Sequence, residues 1–182
     1  MVVCSSGATG EDPAALGVTI VLDDRLSGLA ARIQARCIAS GRHLVTVESC
    51  TGGLIGHALT TRPGSSGYYL GGMITYGDTL KRDLAGVPAE VIGAHGAVSA
   101  QVAIAMADGA RVRMGADIAV SVTGIAGPDG GSEAKPVGLT YVAVADARGT
   151  DVRRHTWTGD RAANQLDSAV AALELVLERV GE

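Results

Sequence analysis

The sequence predicts a three-layer α/β/α sandwich built on a mixed, mainly parallel β-sheet. Strand-like apolar segments alternate with amphipathic helical segments, and a late strand-turn-strand unit makes the sheet mixed rather than purely parallel. Hydrophobic residues make up 47% of the chain, whereas aromatic residues make up 3% and Phe is absent. The core must therefore be built from Val, Ile, Leu, Ala and Met, which suits closely packed layers of helix and sheet.

The first predicted feature along the chain is a flexible tail over residues 1–16, followed by one domain over residues 17–182. The tail is small and polar, whereas the remainder is long enough to bury a substantial core and contains no repeat or linker. The amino terminus lacks a signal-peptide pattern, and no window approaches a membrane span. Three cysteines without a CxxC pair fit reduced thiols, so we predict a cytoplasmic protein.

The predicted elements then follow one another with short turns between them. A first helix carries one apolar stripe from Leu26 to Cys37 and ends at Gly41. A second helix runs from the Gly52-Gly53 pair to about Thr61, and a short helix carries Lys81. A turn or short helix starts at Val87-Pro88. A long helix runs from a cap at Ser99 to before Gly115, and the last helix follows a cap at Asp160. The strands cover residues 43–47, 68–76 with a bulge or close approach at Gly71-Gly72, 117–123, 137–145 and 152–158.

The segment ESCTGG, residues 48–53, places a hydroxyl between a strand end and a helix start. Free amides in the first turn of that helix would stabilise an oxyanion, and Gly52 with Gly53 leaves room for a substrate. Ser49 is therefore a candidate nucleophile. The alternative is that Ser49 only caps the helix, a position that serine favours.

A serine nucleophile needs a proton acceptor, and Lys81 is a better candidate than any histidine. His57 lies two turns along the same helix, and the other histidines are isolated. Lys81 follows a strand that carries Tyr76, and strand ends and helix starts gather at one rim of an α/β sheet. Burial there would lower the lysine pKa, while Tyr76 would relay the proton or orient the amine. The alternative is a solvated surface lysine.

Other motifs point less clearly to chemistry. Ser132 and Lys135 match the Ser-x-x-Lys pattern of penicillin-binding enzymes, but Pro136 disfavours the helical geometry that this pattern requires. No spacing resembles a metal site such as HExxH, so we expect neither a metal nor a cofactor. The formal net charge is -4 without a basic cluster, which argues against nucleic acid as a partner.

The loop from Thr123 to Gly131 has the character of an anion-binding loop. Consecutive small residues after a buried strand expose backbone amides, which can form a nest around a phosphate. The loop has neither the Gly-Lys-Ser/Thr of a P-loop nor the glycine spacing of the dinucleotide fingerprint. The alternative is a plain long turn.

Taken together, these residues resemble the carboxy-terminal domain family of the competence/damage-inducible protein CinA, which includes stand-alone nicotinamide-nucleotide amidases. The resemblance covers the chain from about Leu26 to its carboxy terminus. The matching blocks are ESCTGG (48–53), GSS (64–66), GG (71–72) with TY (75–76) and Lys81, HGAVS (95–99), TGIAGP (123–128), GGSE (130–133), KPVG (135–138) and GDR (159–161).

The resemblance implies metal-free hydrolysis of nicotinamide mononucleotide to nicotinate mononucleotide and ammonia. By position it makes Ser49 the nucleophile, with Lys81 and Tyr76 completing the catalytic group. The backbone around Thr51 and Gly52 would supply the oxyanion hole.

Substrate contacts are expected from the glycine-rich turn, the anion-binding loop and the last helix start. These residues are Gly53, Thr123, Gly124, Ala126, Gly127 and Arg161. Gln165 stands where the family often has arginine, and Asp78 stands where asparagine is expected, so both should weaken phosphate binding.

Two further readings stay open, namely a catalytically silent nucleotide-binding or regulatory module and an amidase for another small amide. A small-molecule nucleotide is the expected substrate, with no nucleic acid or membrane partner. A homodimer is the expected assembly, because two-fold dimers are the commonest oligomers.

Overall fold

A computed structural model describes residues 22–181, which form a β-sheet with helices on both faces. In this range the strands are Leu44–Glu48 (β1), Tyr69–Ile74 (β2), Ile118–Gly124 (β3), Leu139–Asp146 (β4) and Gly149–Thr156 (β5). The helices are Asp24–Ser40 (α1), Leu54–Thr60 (α2), Asp78–Asp83 (α3), Ala89–His95 (α4), Ala100–Met114 (α5) and Arg161–Gly181 (α6). The predicted tail over residues 1–16 and the predicted domain start at residue 17 lie outside the described residues.

The sheet has the strand order β2-β1-β3-β4-β5. Strand β1 pairs in parallel with β2 and β3, whereas β4 runs antiparallel to β3 and to β5. Strands β1, β2, β3 and β5 therefore share one direction and β4 opposes them, which confirms the mixed, mainly parallel sheet. The β4–β5 hairpin turns at Ala147-Arg148, so β5 begins at Gly149, earlier than the predicted start at residue 152.

Two helical layers cover the sheet, as the sequence predicts. Helices α1, α2 and α6 pack on one face, where Leu44 and Val120 belong to their apolar cluster. Helix α5 covers the other face and contributes to a second cluster with Val45 and Val47. Successive residues of β1 thus enter opposite layers, and all five are buried, as is typical of a central parallel strand.

The helix ends follow the local chemistry that the sequence indicates. Helix α1 ends at Gly41, which adopts the left-handed conformation that glycine permits. The hydroxyl of Ser99 accepts a hydrogen bond from the Val102 amide at the start of α5. The Asp160 carboxylate accepts one from the Ala163 amide at the start of α6. These three predictions are confirmed.

The glycine pair in β2 lies at a bulge and a close approach. Tyr69 and Gly71 pair with successive residues of β1, so Leu70 is an extra residue on the edge strand. A Cβ atom on Gly72 would lie 2.1 Å from Oγ1 of Thr46 on β1. The predicted irregularity at Gly71-Gly72 is therefore confirmed.

The strand order also assembles one rim of the sheet. Ser49 follows β1 directly, Lys81 lies on α3 just after β2, and the loop of residues 124–131 follows β3. Because β1 lies between β2 and β3, Ser49 sits between the other two segments, where open α/β sheets bind their ligands. In the described part of the chain, no helix combines the length and apolarity that crossing a bilayer requires.

Candidate active site

Ser49 is held by the sheet and not by helix α2. Its amide donates to the Val122 carbonyl of β3 at 3.0 Å, and only 6% of the residue is exposed. Its Oγ lies 3.2 Å from Nζ of Lys81. Helix α2 begins at Leu54 with Gly53 as its cap residue and no side-chain capping bond from that residue. The alternative of Ser49 as a helix cap is therefore wrong.

Glu48 is the residue that caps the start of α2, and the sequence reasoning missed this role. Its buried carboxylate accepts hydrogen bonds from the amides of Gly53 at 3.1 Å, Ile55 at 3.1 Å and Gly56 at 2.8 Å. A carboxylate at this position satisfies amides that lack intrahelical partners and interacts favourably with the helix dipole. The first-turn amides that we expected to be free are therefore engaged. The available signal was an acidic residue just before a glycine-rich helix start.

Two amides of the nucleophile turn, residues 49–53, have no oxygen acceptor among the described residues. The Gly52 amide donates to the Ser49 carbonyl at 3.1 Å, so Gly52 closes the turn, with a φ of +65° that favours glycine. Across residues 22–181, no oxygen atom accepts a hydrogen bond from the amides of Cys50 and Thr51. Of the predicted pair, Thr51 keeps an available donor, whereas the Gly52 amide is already used.

Lys81 is buried, with 2% of its surface exposed, so the alternative of a solvated surface lysine is wrong. Its Nζ lies 3.0 Å from the Thr75 carbonyl and 3.3 Å from the Tyr76 carbonyl, in addition to Ser49 Oγ. Burial lowers the pKa of Lys81, because it disfavours the charged ammonium. The Asp78 carboxylate, 3.6 Å from Nζ, opposes this shift of the pKa in part.

These three contacts can be satisfied by either protonation state of Lys81. An ammonium group has three donors, so it donates to both carbonyls and to Ser49 Oγ. A neutral amine keeps two N–H donors and gains a lone pair. When Thr75 and Tyr76 accept the two N–H bonds, the lone pair is left for the Ser49 hydroxyl proton. With the two carbonyls as acceptors, this geometry allows a neutral Lys81 amine to direct its lone pair at the Ser49 hydroxyl.

Tyr76 contributes its carbonyl to Lys81 and its side chain to the rim. The side chain is exposed, and its hydroxyl accepts a hydrogen bond from Nη2 of Arg161 at 2.9 Å. Nη1 of Arg161 donates to the Gly127 carbonyl at 2.8 Å. The Tyr76 hydroxyl thus contacts Arg161 and only the Tyr76 carbonyl contacts the amine, so proton relay and orientation of the amine both stay predictions.

These groups line one cleft of about 280 Å³. It brings together most of the predicted site, namely Ser49, Tyr76, Lys81, Thr123, Gly124, Ala126, Gly127 and Arg161. Thr51, Gly52 and Gly53 do not line it, whereas Cys50 does. The Thr123 hydroxyl donates to the Ala97 carbonyl at 2.9 Å and thereby ties two walls of the cleft together. None of the four histidines lines the cleft, although the structure describes all of them.

Helix α6 holds both loops of the cleft through side chains that the sequence reasoning did not assign to the site. Asn164 Nδ2 donates to the Ala126 carbonyl at 3.0 Å, and Gln165 Nε2 donates to the Cys50 carbonyl at 2.8 Å. With the Arg161 bond to Gly127, one helix face fixes the loop after β3 and the nucleophile turn. No sequence signal linked Gln165 to Cys50, because the contact spans 115 positions.

The thiol of Cys50 is a second nucleophilic group in the cleft. The Cys50 thiol is buried beside Ser49, and burial raises its pKa to about 12, so it stays protonated at neutral pH. Among residues 22–181, no three His, Cys, Asp or Glu side chains lie together as metal ligands would. The arrangement therefore places a serine hydroxyl, a buried amine and two amides without an oxygen acceptor close together.

Comparison with known proteins agrees with this geometry. The model of the family described as "CinA C-terminal domain" matches residues 26–180. A CinA-like protein of Geotalea uraniireducens (strain Rf4) is 47% identical over 141 residues, which cover 78% of this chain and 34% of that protein. A CinA-like protein of Acidobacterium capsulatum is 51% identical over 140 residues, which cover 77% of this chain and 34% of that protein.

The solved structures include one of similar length. The competence/damage inducible protein CihA from Agrobacterium tumefaciens superposes with a TM-score of 0.84 at 41% sequence identity. The match covers 90% of this chain and 100% of that chain. By contrast, the chain spans about a third of the length of the two curated relatives above.

Proposed function

The chain belongs to the CinA C-terminal domain family, and from this premise we propose that it is a nicotinamide-nucleotide amidase. The reaction is hydrolysis of nicotinamide mononucleotide to nicotinate mononucleotide and ammonia. The observation that carries the proposal is the 3.2 Å contact between Ser49 Oγ and Lys81 Nζ in a buried cleft. A serine hydroxyl beside a desolvated amine is a known arrangement for nucleophilic attack on an acyl carbon.

In the first step, neutral Lys81 takes the hydroxyl proton of Ser49 while Oγ attacks the carboxamide carbon. An Oγ–C bond forms, and the carbonyl oxygen becomes an oxyanion. The amides of Cys50 and Thr51 are the donors that we assign to this oxyanion. Such preorganised donors stabilise the charge that develops in the transition state.

In the second step the C–N bond breaks, and the Lys81 ammonium transfers its proton to the leaving nitrogen. Ammonia departs and leaves a nicotinoyl ester on Ser49. Water then attacks the ester carbon while Lys81 accepts a proton from it. The bond between Ser49 Oγ and the acyl carbon breaks, and Oγ takes the proton back from Lys81. The acid product ionises to the carboxylate and releases one proton to solvent, which leaves Ser49 and Lys81 in their starting state.

We assign the ribose phosphate of the substrate to the rim of the cleft. Arg161 provides a cation beside the loop that contains Gly124, Ala126 and Gly127. Gln165, in place of an arginine, bonds to the Cys50 carbonyl and adds no cation. Asp78 adds a carboxylate to the cleft wall. The carboxylate of Asp78 should weaken phosphate binding relative to asparagine, whereas Gln165 does not line the cleft and affects phosphate only through the absence of a positive charge.

The two other functions remain alternatives that experiment separates. The contact of Ser49 with a buried Lys81 favours catalysis over a silent nucleotide-binding module. The homodimer is likewise a proposal, to be tested by the mass in solution.

The test is ammonia release from nicotinamide mononucleotide by the parent, Ser49→Ala and Lys81→Met. We expect stoichiometric ammonia and nicotinate mononucleotide from the parent, and a loss of about 10³-fold in each variant. Ser132→Ala and Lys135→Met are matched controls, because exposed Ser132 and partly buried Lys135 are the same residue types and do not line the cleft. Both controls should keep the parent rate.

Each contrary outcome identifies a different error. Full activity in Ser49→Ala would show that the nucleophile is another group. Release of ammonia from other amides, but not from the nucleotide, would identify a different substrate. Calorimetric binding of the nucleotide without turnover of any amide would identify a silent binding module.

A further inference from the structure

The nucleophile turn is anchored by a side chain that the proposed mechanism does not use. Nε2 of Gln165, on helix α6, donates to the Cys50 carbonyl at 2.8 Å. Gln165 is partly buried and does not line the cleft that contains Ser49 and Lys81. Its bond therefore reaches the backbone beside the nucleophile from outside the substrate site.

The Cys50 carbonyl shares one peptide unit with the Thr51 amide. A trans peptide is planar, so its C=O and N–H point in opposite directions and cannot rotate independently. A bond that holds the Cys50 oxygen therefore also fixes the direction of the Thr51 N–H. That N–H is one of the two amides of the turn without an oxygen acceptor among residues 22–181.

The second available amide is held in a different way. The Cys50 N–H shares its peptide unit with the Ser49 carbonyl, which accepts the Gly52 amide at 3.1 Å within the turn. The local backbone thus fixes one donor, whereas the other donor depends on a side chain 115 positions away. Gln165 is the only described side chain bonded to the Cys50 carbonyl.

Helix α6 is a rigid support for this anchor. It extends over 21 residues, and its apolar face is buried in the main core cluster with α1 and the sheet. Asn164 and Arg161 on the same helix hold the Ala126 and Gly127 carbonyls of the opposite wall. The position of Gln165 is therefore fixed relative to both walls of the cleft.

We infer that Gln165 is a positioning residue for the oxyanion hole, acting through the Cys50 carbonyl on the Thr51 amide. The inference rests on the proposed function, because an oxyanion forms only when Ser49 attacks an acyl carbon. A donor of this kind acts in the transition state and contributes little to ground-state binding. Loss of the anchor should therefore lower kcat and leave KM nearly unchanged.

The test compares Gln165→Met, which keeps the length but removes the donor, with Gln165→Arg, which restores a long N–H donor. Gln34→Met is the matched control, because Gln34 Nε2 also donates to a backbone carbonyl, that of Pro63, at 2.9 Å. Two reactions are followed: ammonia release from nicotinamide mononucleotide, and the burst of nitrophenolate from p-nitrophenyl acetate. In the burst, Ser49 Oγ bonds to the acetyl carbon, the ester C–O bond breaks, and Lys81 takes the serine proton.

We expect Gln165→Met to lower kcat and the burst rate about 10- to 100-fold, less than the loss of a whole donor. KM should stay within about threefold, as expected when only a transition-state interaction is lost, and the pH midpoint should not move. Gln165→Arg should recover most of both rates, and Gln34→Met should match the parent. If Gln165→Met does not fold, Gln165→Leu removes the donor without adding a charge and should show the same loss.

Unchanged rates in Gln165→Met would overturn the inference. So would an effect confined to KM, which indicates substrate contact, or a shifted pH midpoint, which indicates action through Lys81. If the parent shows the burst but does not hydrolyse the nucleotide, the proposed function fails and the burst alone decides the role of Gln165. A parent without either reaction would overturn both proposals.

Discussion

Replacement of Asp78 by asparagine should move the pH profile of the proposed amidase to lower pH. The Asp78 carboxylate lies 3.6 Å from Nζ of Lys81 and stabilises the ammonium form. The base must be neutral to accept the Ser49 proton, so the rate rises as pH passes through the pKa of Lys81. Because the variant loses the negative charge, the pKa of Lys81 falls further. The acidic limb, which is the pH range over which the rate rises, therefore moves to lower pH.

The size of the shift follows from the distance and the exposure. Two unit charges this far apart interact by about 1 kcal/mol in water and by roughly 5 kcal/mol at an effective dielectric of 20. The Asp78 side chain is 60% exposed, so solvent screening places the interaction near the lower value. About 1 kcal/mol corresponds to just under one pH unit, or roughly a five- to tenfold higher rate below the limb.

The assay is the pH dependence of kcat/KM for ammonia release at low salt, in the parent and in Asp78→Asn. Asp83→Asn is the matched control, because Asp83 lies at the end of the same helix and pairs with Arg82. The midpoint of the limb is the readout, since it does not depend on changes in phosphate affinity. Added salt should reduce the difference between parent and variant. A limb that stays in place or moves to higher pH would refute the assignment of Lys81 as the base.

Two further changes test other parts of the site. Glu48→Gln should lower the free energy of unfolding, measured in urea, by about 2–3 kcal/mol, because the buried carboxylate accepts hydrogen bonds from three amides. A loss below about 0.5 kcal/mol would contradict the capping role. Arg161→Ala should raise KM for nicotinamide mononucleotide about tenfold while affecting the phosphate-free nucleoside less, because Arg161 is the cation at the rim. An equal loss for both compounds would instead indicate that Arg161 supports Tyr76 and Gly127.

The parts of the fold that the sequence predicted are those determined by local chemistry. The caps at Gly41, Ser99 and Asp160 depend on residues within one helical turn, and all three are present. The meeting of Ser49 with Lys81 depended on one general rule, that strand ends of an α/β sheet share a rim. The strand order confirms that rule, because β1 lies beside β2.

The sequence did not predict which groups accept the hydrogen bonds of the backbone amides near Ser49. The turn after β1 has several amides, and the pattern ESCTGG does not show which are used internally. The Glu48 carboxylate accepts one amide of this turn and two of helix α2, and the Ser49 carbonyl accepts that of Gly52, which changes the expected oxyanion donors. The role of Gln165 depends on a contact between residues 115 positions apart, so residue type and local spacing do not indicate it.

The protonated thiol next to the nucleophile determines which reagents inactivate the cleft. With a pKa of about 12, roughly one Cys50 in 10⁵ is a thiolate at pH 7. Hydrogen peroxide and iodoacetamide attack thiolates, so neither should modify Cys50 quickly. Reagents that phosphonylate hydroxyl groups should still reach Ser49. The proposed activity should therefore persist under oxidising conditions that disable cysteine-dependent amidases.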